Sequence, residues 1–184
     1  MTILSSKIIN YLITITNKTY PEEDIEVYKY GMECFLNRLF SDAILLIWSF
    51  LTGCIMETVC WLVVFCIYRN HAGGAHASTN ERCIISTSLL GMSNFIAIKY
   101  QELLSSYTRF IVIFIIVTCI LFAPIKSTKK LLSSKECNVH KCISLVIIIC
   151  SVIVALIVGG KIATTIIFSL FSASILMIIA FIEQ

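Results

Sequence analysis

The chain has 184 residues, 58% of them hydrophobic, with two prolines and only 14% charged residues; its mean hydropathy of +0.93 excludes an ordinary water-soluble domain of this length. The formal net charge of +3 lies in short blocks between long apolar runs, so it reports membrane topology before it reports a partner, and no nucleic acid is expected. A disulfide scaffold is excluded as well, because Cys54, Cys60, Cys66, Cys119 and Cys150 fall inside apolar runs, where a thiol packs as a small hydrophobe. In hydrocarbon every backbone group must be paired within the chain. The expectation is therefore an all-α, polytopic helical membrane protein, with about five to six transmembrane helices and an N-terminal amphipathic helix.

Residues Met1 to Asn17 place Leu4, Ile8, Tyr11 or Leu12, and Ile15 on one stripe, which predicts an amphipathic helix lying on the membrane surface. One lysine, no compact apolar core and no small-residue cleavage site argue against a signal peptide here. Pro21 and the acids after it suit a helix start, and a second amphipathic helix is expected from about Glu22 to Phe40. Ala43 to Tyr68 is long enough to span a bilayer once, but Gly53 and Glu57 interrupt it, leaving one tilted helix or two shorter ones. Four apolar stretches follow, about Cys83 to Ile98, Phe110 to Ile125, Cys142 to Val158 and Ile162 to Ile182, the first being the weakest. The whole reads as one membrane domain, 1–184, with an amphipathic region at 1–40 and a transmembrane bundle at 41–184.

Lys126, Lys129, Lys130, Lys135 and Lys141 share one short connection, which the positive-inside rule places in the cytoplasm. Alternation then puts the loop holding His76, and the C-terminus, on the same side, and Arg69 and Arg82 at the edges of that loop agree. The N-terminus falls outside if 43–68 is a single span and inside if it is a hairpin. A glutamate at mid-membrane would have to face protein or a cavity, so Glu57 is expected in a structural or subunit-interface role.

The stretch from Tyr68 to Leu90, "YRNHAGGAHASTNERCIISTSLL", joins the first apolar segment to the second and is unusually rich in chemistry. A cysteine nucleophile needs a base within hydrogen-bond reach or surroundings that favour its thiolate. His76 and Cys83 are the obvious pair. Seven residues apart, they would be roughly 10 Å apart along a straight helix, so the chain must bend between them. The paired glycines of "AGGAH" permit the bend, and Ser78 to Glu81 resembles a capping box that would start a helix at Ser78, or at Asn80 if that residue is the cap. Cys83 would then lie near the positive end of the helix dipole with Arg82 beside it. Further along, Ser86, Thr87, Ser93 and Asn94 draw a polar stripe that should turn toward protein or a wet cleft. A metal is not expected: His71, His76 and Cys83 have no fourth ligand close by, and Cys137 and Cys142 around His140 would need help from elsewhere.

At these residues the sequence resembles the accessory gene regulator B family, membrane-embedded bacterial cysteine peptidases that process quorum-sensing propeptides. Its pattern of an arginine, a His-Ala-x-Gly-Ala-His-Ala motif and a cysteine seven residues after the second histidine stands here as Arg69, "HAGGAHA" and Cys83. The resemblance extends to "YGMECFLNRL" and "APIKSTKK". It implies Cys83 as nucleophile and His76 as base, with Arg69 and Gly74 at positions needed for activity. Glu33 stands where the family can have glutamine, and its role, orienting His76 or touching the peptide, is left open.

The resemblance further implies a short precursor peptide with an amphipathic leader and an acidic tail, cut at its C-terminal side and closed into a thiolactone or lactone ring. Lys129 and Lys130 would meet the acidic tail. It also implies a homodimer in the bacterial plasma membrane with the active site facing the cytoplasm, and no cofactor. The competing expectation is a small peptide transporter or scaffold in which His76 and Cys83 are incidental.

Overall fold

The computed structural model describes residues 2–16, 20–73, 80–125 and 133–182, and among them lie seven helices and no strand. In chain order they are α1 (Thr2–Thr16), α2 (Glu22–Thr52), α3 (Ile55–Ala72), α4 (Asn80–Lys99), α5 (Gln101–Phe122), α6 (Ser134–Val158) and α7 (Gly160–Ile182). Of these, α2, α5, α6 and α7 are long and apolar enough to cross a membrane. The chain is a multi-pass membrane protein. α3 and α4 pack within the same bundle but carry more polar residues at their ends, among them Glu57, Arg69 and His71 on α3 and Glu81, Arg82 and Lys99 on α4.

α2 begins after Pro21 with Glu22, Glu23 and Asp24 in its first turn, where carboxylates meet the positive end of the helix dipole. It does not stop near Phe40 but continues to Thr52, because nothing between those residues breaks helical backbone. It ends at Gly53, whose φ of 69° lies in the left-handed region, and Cys54 N–H donates back to Ser49 O at 3.0 Å. The interrupted segment 43–68 is thus two helices joined by a turn. Glu57 consequently lies in the first turn of α3, at a helix end rather than amid a span.

The 31 residues of α2 extend about 46 Å, more than the hydrocarbon core of roughly 30 Å. About two thirds of that length suffices to cross, and α1 packs on α2. α1 turns Ser5 and Ile9 into the protein and leaves Leu4, Tyr11, Leu12 and Ile15 of the apolar stripe exposed.

α7 is the centre of the bundle and touches α3, α4, α5 and α6. It presents Ser169, Ser172, Ala173 and Ser174 as a buried run, and small residues let helix backbones approach closely where no hydrophobic effect drives them together. Ser169 Oγ donates to the Trp61 carbonyl at 3.0 Å, and Trp61 stacks on Phe65 with centroids 4.4 Å apart. α4 packs on α2 at Gly91, where a Cβ would stand 2.5 Å from both terminal methyls of the fully buried Leu45. The α2–α3, α4–α5 and α6–α7 connections alternate with the others along the chain. The starts of α2 and α4 therefore share one end of the bundle with the end of α3.

Candidate functional site

Cys83 is the fourth residue of α4 and is partly buried. That places it in the first turn of the helix, as expected for a start at Asn80. Ser78 lies outside the described residues, as do Gly74, His76, Lys129 and Lys130.

Arg69 comes to the same end from α3, in its last turn. Its guanidinium carbon stands 5.6 Å from the Phe65 ring centroid, the cation–π distance range. Withdrawal from water pushes the Arg69 pKa down, while the thiols of Cys83 and Cys34 pull it up and Arg38 pushes it down. The guanidinium thus lies within electrostatic reach of Cys83. Arg82, by contrast, is exposed.

α3 ends because Gly73 takes a φ of 81°, which side chains with a Cβ avoid, and its N–H donates to Arg69 O at 2.9 Å. A Cβ on Gly73 would also meet Ile125 at 3.0 Å. Ile125 N–H donates to Ala72 O at 3.1 Å, fastening the end of α3 to the segment after α5. The first glycine of the expected bend thus acts as a helix terminator under a crossing chain.

Glu33, on α2, accepts hydrogen bonds at one carboxylate oxygen from Thr2 Oγ1, at 2.7 Å, and from Asn80 Nδ2. It joins three helices: α1, α2 and the start of α4. One turn further along α2, Asn37 Nδ2 donates to Asn80 Oδ1 at 2.6 Å. The Tyr30 side chain is hydrogen-bonded to Cys34, and Tyr30 lies within electrostatic reach of Cys83 and Glu33. Asn80, Asn37, Tyr30 and Cys34 were not singled out from the sequence as site residues. Their signal was available: 30, 33, 34 and 37 repeat at helical spacing and mark one polar face of α2.

The polar stripe of α4 divides. Ser86 is exposed and its hydroxyl donates back to the Arg82 carbonyl at 2.6 Å, a bond within α4 itself. Asn94 is buried and donates to Thr165 Oγ1 of α7 at 3.4 Å, so this end of the stripe does turn toward protein.

His71 pairs with His140 of α6 through their Nδ1 atoms at 3.1 Å, a bond for which one ring must donate and the other accept. Among the described residues, no group of three His, Cys, Asp or Glu side chains converges as a metal site. Lys141, from the lysine-rich connection, donates to the Ile120 carbonyl at the end of α5.

A family description, accessory gene regulator B, matches residues 5–182. Protein FsrB of Enterococcus faecalis is 28% identical over 148 residues, which are 77% of this chain and 60% of that protein. The chain therefore spans about three fifths of the length of that relative. No solved structure matches. A match running through all seven helices, over a chain with its cysteine and arginine at one end of a membrane bundle, places the chain in the accessory gene regulator B family.

Proposed function

We propose that the protein is a membrane-embedded cysteine endopeptidase that matures a short quorum-sensing propeptide, with its active site on the cytoplasmic face. The observation that carries this reading is that Cys83, in the first turn of α4, and Arg69, in the last turn of α3, come to one end of the bundle within electrostatic reach. Membership of the family supports it, and so does the histidine of "HAGGAHA" seven residues before the cysteine.

His76 takes the thiol proton from Cys83, and the sulfur attacks the carbonyl carbon of the scissile bond. The carbon–nitrogen bond breaks, the departing amine of the C-terminal fragment receives the proton held by His76, and a thioester to Cys83 remains. An internal thiol of the peptide then attacks that carbonyl, giving its proton to His76 and releasing the Cys83 thiolate as the ring closes. One thioester replaces another. Water must be kept out, because hydrolysis would discard the acyl group, and a site at the edge of a bilayer limits its entry. Lys129 and Lys130 would attract the acidic tail of the precursor. The exposed Leu4, Tyr11, Leu12 and Ile15 of α1 give an apolar surface where an amphipathic leader and the membrane can meet. The reading includes a homodimer as the working unit.

Co-expression with a candidate precursor tests the reading. Cys83→Ala should abolish processing, and His76→Ala should lower it by about 10²–10⁴, the usual contribution of a general base, with the protein still present in the membrane. Processing that survives Cys83→Ala would overturn the peptidase reading and leave a transporter or scaffold.

A further inference from the structure

The residues immediately before the cysteine are held in an unusual way. Asn80 opens α4 one turn before Cys83 and is gripped on both sides of its amide by α2: its Nδ2 donates to Glu33 and its Oδ1 accepts from Asn37 at 2.6 Å. Residues three apart share a helix face, so Cys83 projects toward the same side of α4 as Asn80. The electrostatic contact of Cys83 with Tyr30, one turn before Glu33 on α2, agrees.

From this geometry we infer that Asn80, clamped between Glu33 and Asn37, is a positioning residue that fixes the Cys83 sulfur. The inference rests on the peptidase reading above. The first turn of a helix is its least secured part, since its N–H groups lack partners within the helix. A nucleophile placed there is only as well aimed as whatever holds that turn, and a misplacement of about 1 Å can cost roughly 100-fold in rate.

Stability alone accounts poorly for the clamp. Asn37 is buried, with 6% exposure, and its Oδ1 has no partner among the described residues. Burying an unsatisfied acceptor is unfavourable, so an apolar pair at these positions would hold α2 and α4 together at lower cost. What an apolar pair would not supply is direction. Two hydrogen bonds of opposite sense on one amide define the rotation of the α4 start, and through Glu33 the clamp reaches Thr2 at the start of α1.

The polarity of the clamp provides the test. Asn80→Asp sets a carboxylate against that of Glu33, whereas Asn80→Asp combined with Glu33→Gln restores the bond with donor and acceptor exchanged. Two readouts are followed on the full-length protein in membranes: precursor processing, and the pH profile of iodoacetamide labelling measured on the Cys83 peptide by mass spectrometry. The single variant should lower kcat about 10- to 100-fold with little change in KM and should shift the labelling profile. The double variant should recover both. Recovery of protein level without recovery of the labelling profile would overturn the positioning role, as would parent-like processing by Asn80→Asp. In either case Cys83→Ala remains the control: if it is inactive, only the positioning role has fallen, and if it is active the peptidase reading has fallen beneath it.

Discussion

Arg69 and Cys83 come from different helices, and the arginine illustrates how a single residue can be overdetermined. Its guanidinium rests near the Phe65 ring, is partly buried and carries a positive charge, the sign that favours a thiolate. A lysine would keep the charge but lose the planar group that lies over an aromatic ring, so the two are not equivalent here. Arg69→Lys should therefore retain only part of the processing activity, and Arg69→Ala less still, both at normal membrane levels, as measured by precursor cleavage. Glu33 behaves differently. Its task in the structure is to accept bonds from Thr2 and Asn80, which a glutamine oxygen also does. Glu33→Gln alone should consequently keep most of the activity.

At the scale of the elements, the contact between α2 and α4 governs how the site is built. Gly91 lets α4 lie directly against Leu45, and a larger side chain would have to displace a fully buried leucine. Gly91→Val should cost about 1–3 kcal/mol, the usual range for overpacking, and Leu45→Ala in the same chain should recover part of the loss. Thermal unfolding of the detergent-solubilised protein checks both. The contact lies two turns beyond Cys83 on α4, so the same substitution should also slow processing by tilting the helix start away from α2. α6 starts with a complete capping box, Ser133 and Glu136 each bonding the other's backbone N–H, so its first turn is secured locally. α4 instead borrows its security at Asn80 from α2.

For the whole molecule, the turn at Gly53 settles a question of sides. With 43–68 folded as two helices, α2 begins at the end of the bundle where α4 begins, and Glu33 and Asn37 can reach Asn80. The same alternation puts the α4–α5 and α6–α7 connections at the opposite end. In a cysteine-free background, a cysteine at Tyr100 or Gly159 should label with an impermeant thiol reagent on intact cells, and one at Lys135 only after permeabilisation. The reverse pattern would invert the proposed orientation while leaving the bundle intact. Among the described residues four helices qualify as spans by length and composition, and α4, which packs beside them, turns the polar Asn94 onto Thr165 of α7.

Composition and periodicity by themselves determined the helical membrane class and the approximate places of α4 to α7, although α5 and α6 each begin several residues before their apolar runs. Each of these is local: long apolar runs must be helices in hydrocarbon, and a motif is a set of spacings. Other features needed the fold. An amphipathic stripe does not say which residues of the opposite face meet protein, and α1 packs through Ser5 and Ile9. Gly53 reads equally as a kink or a turn until α3 has α6 and α7 to pack against. The clamp on Asn80 joins residues more than forty positions apart, a relation that no local pattern encodes, because it exists only once α2 and α4 lie side by side.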